Sequence, residues 1–210
     1  MILSPCDGLE IRISPDGCAE LEFPAGVALA LPVQTHTARV AIVRQPDETF
    51  PDTDGLISLS PEIAVGVRTA DCQPVILFAP DIRAVAAVHA GWRGTIARIS
   101  GRAVGELCRL GASPSLMRAF LGPAICGQCY EVSPELIDDF KAAGFAINTA
   151  PRHLDLADLN SQDLVGAGLR RANITGSEHC TLHTVAPRYP SWRRVPGTAT
   201  RLITAARLTV

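Results

Sequence analysis

The chain has 210 residues, 47% hydrophobic and 19% charged, with a net charge of −2 from 19 basic and 21 acidic side chains. That length suits one domain with its own core, taken here as a single unit over residues 1–210, and the even charge leaves no basic field for nucleic acid. No apolar run reaches the ~20 residues of a membrane span and no basic, apolar leader opens the sequence, so no membrane partner and a cytoplasmic location are expected.

Residues 9–43 read as short strands at 10–13, 19–23, 27–31 and 39–43, punctuated by Pro-Asp-Gly and Pro-Ala-Gly, with a polar loop over 45–55. Ile63, Val65 and Val67 alternate in strand period, and residues 74–79 and 83–88 are near-continuous apolar runs of the kind buried on both faces. Residues 95–110 carry an apolar stripe from Ile96 to Leu110 and end at Gly111, which predicts one helix. Ser133-Pro134-Glu135 caps a second helix that stops at Gly144, and residues 161–172 predict a third. Strands are expected again at 117–121, 178–182 and 199–208. Strands outnumber helices and do not alternate with them, so the class is α+β rather than doubly wound.

The chemistry concentrates in Thr69-Ala70-Asp71-Cys72-Gln73-Pro74-Val75 and Ala87-Val88-His89-Ala90-Gly91-Trp92-Arg93-Gly94. The two apolar runs between them meet at Pro80-Asp81. If those two residues form the loop of a hairpin, Cys72 falls opposite His89, close enough for one metal ion to bridge a thiolate and an imidazole. His36, in Gln34-Thr35-His36, is a third ligand candidate. From the pattern alone, a buried thiol with two hydrogen-bonded histidines is an equally good reading.

Seven cysteines form no disulfide pattern. Cys6, Cys18 and Cys108 read as packing residues. Cys126-Gly127-Gln128-Cys129 is a C-x-x-C with neither a thioredoxin context nor an evident second ligand pair, so it reads first as incidental or pocket-lining. His153, His179 and His183 have no partner identifiable from the sequence.

Gln34-x-His36, Thr53-Asp54-Gly55, Thr69-Ala70-Asp71-Cys72-x-Pro74-Val75, Ala87-x-His89-Ala90-Gly91-Trp92-Arg93-Gly94, Gly122-Pro123-x-Ile125, Tyr130-Glu131-Val132 and Cys180-Thr181 together resemble the bacterial YfiH family. Its members are also called laccase-domain, multicopper polyphenol oxidase-like or peptidoglycan-editing-factor proteins, and include the human relative FAMIN. The resemblance implies a four-layer αββα sandwich with mixed sheets, similar to the cytotoxic-necrotizing-factor fold. It also implies a zinc held by His36, Cys72 and His89, with Cys72 and His89 catalytic.

Three protein ligands leave a position open for chemistry. The activity implied is purine nucleoside phosphorolysis or adenosine deamination on adenosine, inosine, guanosine or methylthioadenosine. The partners are then a small nucleoside and phosphate, with Gln34, Arg93 and Arg194 as substrate-binding candidates and Arg193 beside them. A monomer or small homo-oligomer is expected. The family's N-terminal Arg-x-Gly-Gly-Val-Ser and Ser-Leu-Asn segments are absent, so the domain reads as N-terminally shortened. The late Ser-Tyr-Arg-Arg-Asp-Gly box reads Ser191-Trp192-Arg193-Arg194-Val195-Pro196-Gly197. Three further readings are a copper-dependent polyphenol oxidase, a Cys72 hydrolase of peptidoglycan precursors, and a zinc-binding protein without turnover. Five histidines are too few for a multicopper centre with its separate histidine cluster.

Overall fold

A computed structural model describes residues 1–14 and 21–209. The elements in chain order are β1 (Ile2–Cys6), β2 (Leu9–Ser14), β3 (Ala28–Ala30), β4 (Val40–Ile42), β5 (Gly55–Ser58), β6 (Ile63–Thr69), β7 (Gln73–Ala79) and β8 (Ala84–Ala90). They continue with α1 (Trp92–Ile96), α2 (Ile99–Arg109), β9 (Arg118–Leu121), α3 (Pro134–Ala142), α4 (Leu156–Gly166), β10 (Ile174–Gly176) and β11 (Leu202–Leu208). Two mixed sheets result, a five-stranded one in the order β1-β2-β11-β6-β3 and a six-stranded one in the order β10-β9-β7-β8-β5-β4. The α+β class is thus what the chain adopts.

The apolar runs of β7 and β8 are buried on both faces because two cores claim alternate residues. Ile76, Phe78, Val85 and Ala87 point to the other sheet and meet Ile11, Val65, Val67 and Leu202. Val75, Leu77, Ala86 and Val88 point the opposite way and meet Ile99, Ala103, Val104 and Leu107 of α2 with Leu164 of α4. The period of two in each strand therefore serves a sheet–sheet core and a sheet–helix core at once. Among the described residues the helices that pack on a sheet lie on the six-stranded one, giving the order helix, sheet, sheet; a further helical layer on the five-stranded sheet, which the four-layer expectation includes, is not among them. No helix among them is long and apolar enough to cross a membrane.

Several local expectations change. The β7–β8 hairpin closes with four residues, Pro80 to Arg83, and Pro74 lies opposite His89 where a two-residue loop would have put Cys72. Arg83, at φ 49°, takes the left-handed conformation that completes the turn, for which Pro-Asp alone has the wrong twist. The shift of two residues keeps side-chain parity, so Cys72 and His89 still approach from one face.

The single helix expected over 95–110 is broken at Arg98, which sits at φ 61°. There its guanidinium donates to the Ala143 carbonyl at 2.7 Å and lies 4.0 Å from the centroid of the Phe145 ring. Asp163 of α4 then accepts from the Gly101 amide at 2.7 Å, satisfying a free N–H at the start of α2 from another helix.

The third helix begins earlier than expected because Asp155 accepts from the Ala157 and Asp158 amides at 2.9 and 3.1 Å, and it ends before Gly168 at φ 104°. The strand expected over 178–182 is replaced by a turn with one bridge, Ala124 to Cys180, and the strand lies instead at β10, paired in parallel with β9. Residues 21–23 of the expected strand at 19–23 are irregular, and its remaining residues, with Cys18, lie outside the described residues. Both β1 and β5 form where no strand was expected. Cys6 packs against the inter-sheet core and Cys108 against the sheet–helix core, as expected of packing residues.

Candidate metal centre

Four stretches of chain converge at one end of the central strands β7 and β8 of the six-stranded sheet. His89 is the penultimate residue of β8, buried at 4% exposure, and Cys72 lies in the bend just before β7. His36 sits at φ 62° in the loop between β3 and β4. The donor atoms of His36, Cys72 and His89 all lie within 4.8 Å of one another, and the two imidazole rings meet edge to face at a centroid distance of 4.8 Å.

The organiser of this cluster is Asp54, fully buried just ahead of β5. Its Oδ1 accepts from His89 Nδ1 at 2.7 Å and from the His36 amide at 3.1 Å. Its Oδ2 accepts from the Thr37 amide and hydroxyl at 2.7 and 2.8 Å and from the Thr35 amide at 3.3 Å. The Asp54 carbonyl accepts from the His89 amide at 2.7 Å, so the two residues are tied by backbone as well as side chain. One carboxylate thereby fixes the left-handed turn that presents His36 and the ring orientation of His89. With Nδ1 held by Asp54, His89 keeps Nε2 for Cys72 or a metal, which is the usual carboxylate–histidine support of a metal ligand.

Burial alone would raise the Asp54 carboxyl, but the His89 hydrogen bond and the Thr37 donors outweigh it and hold the pKa at about 2. Burial likewise works against ionising Cys72, yet hydrogen bonds from His36 and His89 bring the thiol down to about 6. Burial opposes protonation of His89, and hydrogen bonds to Asp54 and Cys72 overcome it, raising it to about 9. The sulfur is therefore a thiolate at neutral pH, the form that binds a metal.

Gly91 explains why the chain after His89 can pass so close. A methyl group there would lie 2.8 Å from Cys72 Sγ and 3.2 Å from His36 Cδ2. Asp71, at φ 84°, anchors the Cys72 bend: its Oδ1 accepts from the Thr181 hydroxyl at 2.6 Å, its Oδ2 from the Arg193 amide at 2.7 Å, and its carbonyl from the Ile125 amide at 3.0 Å.

His36, Cys72 and His89 lie in a cleft of about 720 Å³ whose lining also includes Trp92, Tyr130, Trp192, Arg68, Arg193 and Arg201. The sequence-derived substrate candidates fare differently. Gln34 lines the cleft, but both ends of its amide pair with the Arg68 backbone, at 2.7 Å to the carbonyl and 2.8 Å from the N–H. Arg93 is exposed on α1, with its guanidinium 4.2 Å from the centroid of the Trp92 ring. Arg194 does not line the cleft: its guanidinium donates to the carbonyls of Tyr189, Thr181 and Leu182 and clamps that segment. Its neighbour Arg193 does line the cleft, 5.4 Å from the Tyr130 ring centroid and donating to the Glu131 carbonyl at 3.0 Å.

The remaining histidines have partners after all. His153 pairs with the Pro151 carbonyl at 2.9 Å, His179 with the Tyr189 hydroxyl at 2.6 Å, and His183 with Cys129 at 3.3 Å. Asp54 enters the sequence reading only within Thr53-Asp54-Gly55, one of the segments that carry the family resemblance; its role in orienting His36 and His89 leaves no local signal, because it closes a stretch that reads as polar loop.

The donor set suits a metal ion chemically: one ionised sulfur and two imidazoles, one of them backed by a carboxylate, with a glycine leaving the space they need. A family model described as multi-copper polyphenol oxidoreductase laccase matches residues 17–209. Adenosine deaminase RL5, from an unknown prokaryotic organism, is 39% identical over 173 residues, covering 73% of this chain and 65% of its own length. Purine nucleoside phosphorylase from Deinococcus radiodurans is 37% identical over 173 residues, covering 80% of this chain and 66% of its own. The match thus spans just under two thirds of either relative. Among solved structures, YfiH from Bacillus licheniformis superposes with a TM-score of 0.76 at 29% identity, covering 86% of this chain and 74% of its own. YlmD from Geobacillus stearothermophilus superposes at 0.78 and 28% identity, covering 87% of this chain and 74% of its own. With a family match along nearly the whole described chain and the same fold in these neighbours, the chain belongs to the multi-copper polyphenol oxidoreductase laccase family of YfiH-like proteins.

Proposed function

We propose that this chain is a zinc-dependent enzyme of purine nucleosides, releasing the base with phosphate and deaminating adenosine with water. The observation that carries the reading is the convergence of His36, Cys72 and His89 in a cleft lined by aromatic and cationic side chains. The activities in the names of the two relatives agree with it. Zinc is preferred because one thiolate and two imidazoles suit it and leave a fourth position for a reactant. When bound, the ion supplies Lewis acidity towards the atom being attacked or released.

The chain's own residues supply the rest. His36, Cys72 and His89 would hold the metal, and Asp54 keeps the proton on His89 Nδ1. The indoles of Trp92 and Trp192 and the Tyr130 ring offer flat apolar surfaces for a purine. Burial, reinforced by the Cys72 charge, pushes the Tyr130 phenol up to about 12. Tyr130 Oη therefore keeps its proton at neutral pH and serves as a hydrogen-bond donor to a base nitrogen or leaving group. Arg193 and Arg68 provide cationic forks for phosphate. Phosphorolysis then exchanges the bond from C1′ to the base nitrogen for one to a phosphate oxygen, and the base leaves with a proton. Deamination exchanges the C6 amine for a hydroxyl, tautomerising to the oxo form, with ammonia leaving.

The test is turnover of adenosine and inosine by zinc-replete protein with and without phosphate. Base release that requires phosphate, and ammonia release that does not, supports the reading. Inactivity towards every purine nucleoside at full zinc loading refutes it. Copper-dependent phenol oxidation, the reading the family description favours, would instead appear as bound copper and oxygen uptake with phenols.

A further inference from the structure

We infer that the chain holds a second metal, a structural zinc bound by Cys126, Cys129, Cys180 and His183. The site lies apart from His36, Cys72 and His89 and shares no residue with them. It joins two turns that are 50 residues apart in sequence but neighbours in space, because β10 pairs in parallel with β9 and the chain leaving each strand runs side by side. The first turn contributes Cys126-x-x-Cys129 and the second Cys180-x-x-His183, so the C-x-x-C acquires the second ligand pair that its sequence context does not display. The bridge between Ala124 and Cys180 and the Thr181 amide donating to the Ala124 carbonyl at 3.0 Å hold the turns together.

The geometry is that of a ligand shell. All four donor atoms lie within 4.8 Å of one another. His183 Nδ1 is 3.3 Å from Cys129 Sγ and 4.0 Å from Cys126 Sγ. The three cysteines carry free thiols rather than a disulfide. A second observation points to ligation: Cys180 Sγ accepts the Cys126 amide at 3.4 Å, which turns this sulfur toward the C-x-x-C turn. Cys180 Sγ thus faces two further sulfurs and an imidazole, an arrangement that a divalent cation would bridge.

Three sulfurs and one nitrogen make a closed tetrahedral set of the Cys₃His type, with C-x₂-C spacing in one arm. Four protein donors leave no position for a reactant, so the role is structural. Binding converts three thiols to thiolates, whose protons pass to solvent, and takes His183 as the neutral imidazole through Nδ1.

The consequence reaches the cleft. The two turns clasp Asp71 between them, Ile125 through its amide and Thr181 through its hydroxyl, and Asp71 precedes Cys72. Tyr130 of the cleft follows directly on Cys129. A zinc across the turns would set that wall of the cleft without touching substrate.

The test measures metal content and sulfur coordination of the full chain purified with zinc chloride. Two zinc ions per chain are expected, falling to one in Cys72→Ala and to one in Cys126→Ser/Cys129→Ser. X-ray absorption should then find about three sulfurs per zinc in Cys72→Ala, a measurement that stands even if the double variant fails to fold. One zinc in the natural chain that survives Cys72→Ala with three sulfurs would uphold this site while removing the first. One zinc that Cys72→Ala abolishes, or a Cys126–Cys129 disulfide in the native protein, would overturn the inference.

Discussion

Gly91→Ala isolates the packing of the cleft metal site from every other property of the chain. The residue sits at φ −70° and ψ 174°, a conformation alanine adopts freely, so the backbone opposes nothing. The added methyl carbon would stand 2.8 Å from Cys72 Sγ, whereas non-bonded heavy atoms settle at about 3.5–4.0 Å. The sulfur must therefore retreat by about 0.7–1.2 Å, several times the ~0.2 Å over which metal–ligand distances vary. His36 Cδ2, at 3.2 Å from the same methyl, cannot follow the sulfur without being pushed as well. Losing an outer-shell partner weakens metal binding by about 10–100-fold. Displacing a ligand should exceed that, so we expect at least ~100-fold, or about 2.8 kcal/mol. The assay is zinc competition with a chromogenic chelator in the Cys126→Ser/Cys129→Ser background, alongside thermal unfolding of the metal-stripped proteins. Unchanged unfolding with weakened zinc binding is the expected pair of results. Natural-strength zinc binding by Gly91→Ala would refute the packing account.

Gly105→Ala is the contrasting case: it lies within α2 with nothing within 4 Å of the new methyl, and urea titration should show about 0.5–1 kcal/mol of added stability. Asp54→Asn turns one of two accepting oxygens into a donor that must face either His89 and the His36 amide or the Thr35 and Thr37 donors, and chelator competition should show zinc affinity falling about 10–100-fold. Zinc affinity at the same site should rise with pH between about 6 and about 9, because the metal takes neutral His89 and must displace its proton in that window. Below about 6 the rise should steepen as Cys72 also gives up a proton, and a flat profile from pH 6.5 to 8.5 would contradict the assignment. Arg194→Ala strands three carbonyls rather than a phosphate, so denaturant titration should show a loss of about 1–3 kcal/mol, with phosphorolysis and deamination falling together. Arg193→Ala is its comparison, with a raised KM for phosphate as the outcome.

The hairpin that brings Cys72 near His89 was legible because two apolar runs flanked a turn dipeptide, and strands buried on both faces leave that pattern. Its register was not, since the left-handed residue that closes the turn is an arginine and carries no glycine signal. His36 could be named as a candidate but not placed: the contact that brings it in runs through Asp54, a carboxylate hidden in what reads as a loop. Helix ends show the same division. Ser133 and Gly144 act within their own helix and were readable, whereas the break at Arg98 and the cap from Asp163 depend on residues about 45 and 62 positions away and leave no local mark. The pair Cys180-x-x-His183 was in view throughout. What the sequence lacked was the parallel pairing of β9 with β10 that sets it beside Cys126 and Cys129.

The four-residue turn between β7 and β8 also orders events in time. Cys72 and His89 are 17 positions apart on one hairpin, whereas His36 lies 53 positions from His89 and needs β5 to seat between β4 and β8 first. Hairpins close in about 1–10 μs, and closure entropy grows with the length of chain enclosed. A folding chain therefore presents a two-pronged clasp of sulfur and imidazole well before the third prong arrives. If coordination by all three forms only after the rate-limiting step, its effect falls on unfolding rather than on folding. An ion so bound slows the departure of the native chain far more than it hastens its arrival.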